Sequence, residues 1–368
     1  MSEIQVNLQI VPAPDITAWR RILTALDRIS AGLFGSRLNT ICTLTTIALL
    51  LAVLPPLLRW GIADATFAGT AAQCTANGGA CWSFVAEKLR FILFGFYPSE
   101  LHWRPAIVIV LLLGLVSASA WPRLWRRELL LAWPLTIGLC FVLMSGRFIG
   151  ATVTSNQWGG LPITLLVWTV CFALATPLAV LLALARRSTM GALRTFSVAY
   201  IELMRATPMV AILYIAMLIL PMALPEGLVL DKTFRAAIMI TLFWAAYIAE
   251  VVRGGLQTIP PGQYEAATAL GIGYWRSMQL VILPQALRVV IPGMVNLAIG
   301  FLLATSLLAV IGIFDLLNAA KAAASDPQWL GFYDEAYLFA AAVYFVLCLA
   351  GSRYSRWLEK VLNRSTQR

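Results

Sequence analysis

Charge is scarce in this sequence. Of 368 residues only 12% are charged and 60% are hydrophobic, whereas soluble domains carry about 25% charged and under half apolar residues. That shortage excludes a large water-solvated core and makes lipid the solvent for much of the surface. Histidine is almost missing. His102 stands alone, so no histidine metal site is available, and no nucleophile–base pair equips an intramembrane enzyme. Lysine occurs four times, and no Gly is followed by Lys. The G-x-x-x-x-G-K-[ST] loop that cradles ATP phosphates is therefore missing. Fixed-period repeats and low-complexity tracts are lacking too. No cleavable signal peptide is expected, because the first forty residues are polar and mixed and the first apolar run is long enough to span.

What is present is a series of apolar runs of about 20 residues, the length that crosses a bilayer as a helix. Eight are predicted, near 41–60, 104–122, 128–149, 161–185, 198–224, 233–252, 286–313 and 333–352. The net charge of +10 comes from arginines clustered at the ends of these runs. One set of loops holds Arg20, Arg21, Arg28 and Arg37, then Arg123, Arg126 and Arg127, then Arg186, Arg187 and Arg194, then Arg253 and Arg276, then Arg353, Arg356, Lys360, Arg364 and Arg368. The opposite loops hold few. By the positive-inside rule both termini are expected in the cytoplasm. The same placement reads as membrane topology, and no nucleic acid is expected as a partner.

Four cysteines, Cys42, Cys140, Cys171 and Cys348, lie inside apolar runs, where a thiol is usually a small hydrophobe. Cys74 and Cys81 lie in a polar outer loop, 61–104. An oxidising compartment would permit a disulfide between them, and spacing alone leaves bonded and free forms open. The segment Ser83–Tyr97 has two readings, an amphipathic helix along the outer membrane interface or a cap over the outer face; its aromatics favour the interface. A composition shift near Gly150–Gly160 separates helices with few polar groups from helices rich in them. The expected organisation is a cytoplasmic segment 1–40, three accessory spans 41–157, a working core 158–357 and a cytoplasmic tail 358–368.

One cytoplasmic connection carries the most information. Arg253–Arg288 reads RGGLQTIPPGQYEAATALGIGYWRSMQLVILPQALR. Pro260, Pro261 and Gly262 stop the preceding helix, and Pro284 breaks the chain again, which predicts one short helix over 263–279. Gly271 and Gly273 each cost about 1 kcal/mol in a helix interior. Either they mean nothing, or they bare the helix for close approach by another protein. Glu265-Ala266-Ala267, then Gly271, then Ile282-Leu283-Pro284 resembles the EAA loop of ABC importer permeases. Glu202–Pro208 (ELMRATP), Ala246–Arg253 (AYIAEVVR), Gly262–Gly271 (GQYEAATALG), Leu283–Arg288 (LPQALR) and Thr305–Gly312 (TSLLAVIG) extend that likeness to the histidine-, glutamine- and arginine-type permeases. It covers about 200 residues from Gly160 onward. The longer front part is similar to one of the two permeases of broad-specificity general L-amino acid importers.

The resemblance implies an all-α integral membrane protein whose last five helices form a type I ABC importer core in a bacterial inner membrane. Residues 263–279 become the coupling helix, with Glu265, Ala266, Ala267, Gly271, Arg276 and Pro284 at or near the ATPase contact. It implies a pair of ATPase subunits that bind ATP and Mg, so no cofactor belongs to this chain. A second homologous permease in a heterodimer and a periplasmic amino-acid-binding protein complete the expected partners besides membrane lipid. Many relatives carry a Lys and an acidic or Asn residue just before Thr-Ser-Leu; this chain has Leu303 and Ala304.

Ionisable residues inside spans are functional suspects because charge in a bilayer is costly. Glu202 and Glu250 qualify. Each has an arginine three residues later, Arg205 and Arg253, so an intrahelical ion pair is the plainer reading and gating or substrate contact the sharper one. Tyr247, Asn296, Thr305 and Ser306 are neutral polar groups within spans. They serve either as helix–helix hydrogen-bond partners or, with Glu250, as the lining of a substrate path. An ion-coupled secondary transporter is the competing class. It calls for buried carboxylates and usually an internal repeat, and here both carboxylates have arginine neighbours.

Overall fold

The computed structural model describes residues 31–225 and 227–366, with backbone alone over 362–366. The expected N-terminal segment therefore lies mostly outside the described residues, as do Arg20, Arg21, Arg28 and Arg368. The chain divides into two compact units, one ending at Cys81 and the other starting at Trp82.

The first unit begins with helix α1, Arg37–Leu58, whose N-terminus is capped by the Ser36 hydroxyl accepting from the Asn39 amide at 3.1 Å. The helix is apolar on every side and widens into a π turn through Ala63. A short helix α2, Ala71–Asn77, follows. Its first turn is closed by the Gln73 side chain, which accepts from the Thr70 amide at 2.9 Å. Cys74 and Cys81 are joined as a disulfide, tying α2 to the segment that leads out of the unit.

The second unit contains α3 (Trp82–Phe94), α4 (Trp103–Ala120), α5 (Arg127–Ser145), α6 (Gly160–Arg186), α7 (Gly191–Ala206), α8 (Met209–Ala223), α9 (Lys232–Gln257), α10 (Pro261–Ala269), α11 (Tyr274–Ile311), α12 (Leu316–Ala323) and α13 (Tyr333–Thr366). A backbone surrounded by hydrocarbon must satisfy its own N–H and C=O groups, and helices do so segment by segment. Seven described helices are long and apolar enough to cross a membrane, and eight if α7 and α8 count as one bent span.

The apolar run 198–224 is carried by that bent pair, because α7 and α8 meet at 104° across Thr207 and Pro208. Thr207 (φ −90°, ψ 131°) and Pro208 (φ −61°, ψ 138°) are both extended, as expected where a proline ring pushes its predecessor out of helical geometry. At the chain's end, α13 runs without a break through Thr366.

The core centres on α9, which lies along α6 and also touches α7, α8 and α11. Its buried face includes Ala245, Ala246 and Ala249, small residues that let backbones approach where lipid supplies no hydrophobic drive. Short polar links tie the bundle. The Tyr200 hydroxyl donates to the Leu242 carbonyl at 2.7 Å, Ser197 to Leu182 at 2.8 Å, and the Trp168 indole to Ala298 at 2.8 Å. Helices α4 and α5 lie side by side, where Trp133 donates to the Ser119 hydroxyl at 3.1 Å.

One face of helix α3 packs on protein. Phe84 is buried, stacks with Phe332 at 6.0 Å and meets the tilted Trp329 ring at 5.9 Å, beyond α12. Glu87 accepts from the Trp329 indole at 3.1 Å, and Lys88 pairs with Asp326 at 2.7 Å. At its far end Gly95 lies against Gly159, where a Cβ on Gly95 would meet the Gly159 Cα at 2.7 Å. Phe91 meets Phe96 edge to face at 5.1 Å, and Phe96, 48% exposed, also meets Phe314 at 4.7 Å.

Candidate functional site: a charged hub beside a short exposed helix

Helix α10 starts two residues before the expected Gln263, at Pro261, whose missing N–H costs nothing in a first turn. It ends sooner. The structure replaces the predicted single helix over 263–279 with α10, a tight turn, and then α11, which begins at Tyr274. Gly271 makes that turn at φ +69°, with its amide donating to Thr268 O at 2.9 Å and Ile272 N to Ala267 O at 3.0 Å. This is the left-handed helix cap that glycine supplies without strain. A Cβ at Gly271 would meet nothing within 4 Å, so backbone geometry rather than crowding within the chain selects glycine here. Pro284 does not break the chain either. A π turn over Met278–Ile282 precedes it and the helix continues, since a widened turn accommodates the missing donor.

Most of this knuckle faces outward. Glu265, Ala266, Gly271, Arg276 and Pro284 are exposed and Ala267 is buried beneath them. Around them Leu270, Tyr274 and Trp275 are 77%, 54% and 62% exposed. Large apolar groups gathered on an otherwise polar loop mark a contact surface.

Next to α10 lies a hub of charge. Glu250 on α9 accepts from Arg186 at 2.7 Å and from Arg253 at 2.9 Å, with Arg205 3.8 Å away. Glu202 on α7 pairs with Arg186 at 3.0 Å. The expected Glu250–Arg253 pair is present. The expected Glu202–Arg205 pair is not, because Arg186 from the end of α6 reaches both carboxylates and Arg205 turns toward Glu250 and the Tyr247 ring, 5.8 Å from its centroid. Three helices thus share one ionic cluster. Sequence reasoning placed Arg186 among the topology-setting arginines.

The five candidate path residues do not converge. Tyr247 donates to the Arg205 carbonyl at 3.4 Å, one turn from Glu250. Asn296, exposed on α11, accepts from Ser355 at 3.4 Å. Ser306 is half-buried and bonds Leu303 O at 2.8 Å. Thr305 is turned into the core, fully buried, donating to Leu302 O at 2.6 Å and lying 3.4 Å from the Tyr344 hydroxyl. The final turn of α11 tightens to a 3₁₀ helix over Thr305–Ile311, which rotates Thr305 and Ser306 to different sides. Leu303 is 49% exposed on the face that carries Asn296 and Ser306.

Just past that final turn of α11, Asp315 was missed by sequence reasoning. It is fully buried, caps α12 by accepting from the Leu317 and Asn318 amides at 3.1 and 3.2 Å, and receives the Tyr344 hydroxyl at 3.4 Å. Burial pushes its carboxyl up from 3.8 to about 7, against those hydrogen bonds. The folded state therefore prefers the protonated acid. Its contribution to stability is full below 3.8 and is lost as pH rises through about 7. Thermal unfolding of the purified protein across this range is expected to show a midpoint that falls with rising pH, and Asp315→Asn is expected to flatten that slope. An unchanged slope in the variant would assign the pH dependence to other groups.

Between α5, α6 and α9 lies a cleft of about 320 Å³, lined by Phe141, Trp158, Leu166, Val170, Phe234 and Ile238 among others, without a charged group. Among the described residues no cluster of three metal-ligating side chains occurs.

With this geometry in view, comparison with known proteins is specific. Residues 175–364 match the family described as the binding-protein-dependent transport system inner membrane component. An "inner membrane amino-acid ABC transporter permease protein" (YhdY) of Escherichia coli K12 is 43% identical, over 92% of this chain and 93% of its own length. A "glutamate/glutamine/aspartate/asparagine transport system permease protein" (BztC) of Rhodobacter capsulatus is 33% identical over 92% of this chain and 94% of its own. A "glutamate/aspartate import permease protein" (GltK) of Escherichia coli O6:H1 is 34% identical, over 55% of this chain but 91% of its own. The chain belongs to the family of binding-protein-dependent transport system inner membrane components, as one of the amino-acid ABC transporter permeases.

Proposed function

We propose that this permease imports amino acids by alternating access and that α10 is its docking point for a separate ATPase. The observation that carries the reading is the knuckle itself. It is a short helix ended by a left-handed glycine, with exposed Leu270, Tyr274 and Trp275 beside Glu265 and Arg276. Such a surface fits a groove in a folded partner better than it fits water. In this reading the knuckle and the termini are cytoplasmic, a pair of ATPase subunits binds ATP and Mg, and a periplasmic binding protein delivers substrate from outside. A second, homologous permease completes a heterodimeric membrane core, with lipid around it. The three spans before Gly160 are accessory, since GltK aligns over only 55% of this chain. Each ligand drives the cycle only by preferring one conformation, ATP through the ATPase dimer and substrate through the membrane helices.

The test is capture. Cysteines placed at Ala269 and Gln263, cross-linked in native membranes, are expected to trap an ATP-hydrolysing protein. Trapping none would remove the importer reading of α10.

Substrate range follows from the face of α11. Leu303 and Ala304 stand where many relatives carry charge, so the stripe of exposed Asn296 and Leu303 with half-buried Ser306 is neutral. A neutral path accepts side chains of either sign, which fits broad specificity. Leu303→Lys and Ala304→Asp are expected to narrow the range of amino acids taken up, measured as competition against a labelled neutral amino acid. Unchanged competition in both variants would place discrimination in the binding protein or the second permease.

A further inference from the structure

The last residue of α6 and the one after it point into different neighbours. Arg186 donates one Nη to Glu250 on α9 at 2.7 Å and both Nη groups to Glu202 on α7 at 3.0 Å. Arg187 donates to the Leu256 carbonyl near the end of α9 at 2.8 Å and to the Tyr264 hydroxyl on α10 at 3.4 Å. Its guanidinium carbon lies 5.8 Å from the centre of the Tyr264 ring. Two consecutive residues therefore hold α7, α9 and α10 to the end of one helix.

We propose that Arg186 and Arg187 act together as positioning residues that transmit displacement of α10 to the junction of α6, α7 and α9. A guanidinium is planar, carries five donors in a fixed fork and stays charged, so it can bridge two acceptors where a lysine ammonium acts as a single point. No flexible linker separates the two grips; one peptide bond does. A shift of Tyr264 pulls on Arg187, and the rigid end of α6 carries that pull to the carboxylates that Arg186 bridges. The charges around the hub fit a movable link. Removing Arg186 leaves Glu250 still held by Arg253 at 2.9 Å and leaves Glu202, 55% exposed, to water. The Glu250–Arg253 pair stays in place while the ties from α6 to α7 and α9 are cut. In the broken geometry at Pro208, α7 leads directly into the bent α8, so a pull at Glu202 reaches a hinge.

This inference rests on the reading of α10 as the helix that an ATPase moves. The experiment uses the complete complex with its ATPase and binding protein in liposomes, recording uptake and ATP hydrolysis together with the amount of assembled complex. Arg187→Ala and Arg186→Lys are expected to lower amino acid taken up per ATP hydrolysed by roughly threefold or more. Arg187→Lys, which keeps a cation over the Tyr264 ring, is expected to recover part of that ratio. A ratio equal to wild type in both Arg187→Ala and Arg186→Lys would overturn the proposal. So would a loss of uptake and hydrolysis that merely follows a loss of assembled complex, since that is what a structural role produces. Failure of the wild-type chain to assemble with any ATPase would overturn the importer reading and this proposal with it, and it is seen before any variant is made.

Discussion

Glu250→Ala is expected to lower the stability of this protein by roughly 3 kcal/mol, the lower end of the range for breaking a buried ion pair. The Glu250 side chain is 15% exposed and faces three guanidiniums, Arg186, Arg253 and Arg205. Removing it leaves three cations around a single remaining carboxylate, Glu202, which is more than half exposed. The cost arises from the cations left behind rather than from the pairs lost, which is why truncating the shared partner is worse than truncating any one arginine. Arg205→Ala provides the contrast. Its guanidinium stands 3.8 Å from Glu250 and is 38% exposed, so water screens it and its loss is expected to cost less than about 1 kcal/mol. Thermal unfolding of the purified variants, read beside the level of folded protein in membranes, checks both. Equal midpoints for Glu250→Ala and Arg205→Ala would mean that water reaches the whole hub.

How much of this was legible beforehand depends on which physical quantity the sequence encodes. Apolar runs encode transfer into lipid, and the runs behind α1, α4, α5, α6, α9, α11 and α13 were read correctly as helices long enough to span. Transfer energy carries no direction, so hydropathy gives no angle for the bend at Thr207–Pro208, and only the proline itself marks the place. Ion pairing was read from separation along the chain. That rule finds Arg253 for Glu250 because the two share a helix. It fails for Glu202, whose partner comes from the end of α6, sixteen residues earlier. The Arg186 guanidinium sits where packing brings it, and a charge in a poorly solvating place takes the nearest counter-ion. The α10 region was found through its proline and glycine punctuation, but its length was overestimated. Pro284 reads as a breaker in an ideal α-helix, and a π turn before it is a tertiary accommodation that no local pattern announces. The buried Asp315 was missed for a related reason. As a helix cap it looks like any loop aspartate, and its burial comes from α6, α11 and α13 closing around it.

Gly271→Arg is expected to abolish assembly with the ATPase while leaving the permease itself folded. Two effects are separable at this position. The left-handed backbone, φ +69°, costs any ordinary side chain roughly 1 kcal/mol, and that cost is shared by Gly271→Ala and Gly271→Arg alike. Within the chain nothing crowds the site, since a Cβ meets no atom within 4 Å. Unfolding midpoints of the two variants should therefore agree closely, both slightly below wild type. Only a partner seated against the knuckle distinguishes them, because the long guanidinium would enter the space that partner occupies beside Leu270 and Trp275. Gly271→Asn, which tolerates the left-handed region, should fold nearly as well as wild type. Pull-down of the ATPase by each variant gives the decisive ratio. Normal stoichiometry with Gly271→Arg would place the docking surface elsewhere on the chain, whereas its selective loss, with Gly271→Ala retained, locates the motor's grip at the turn between α10 and α11.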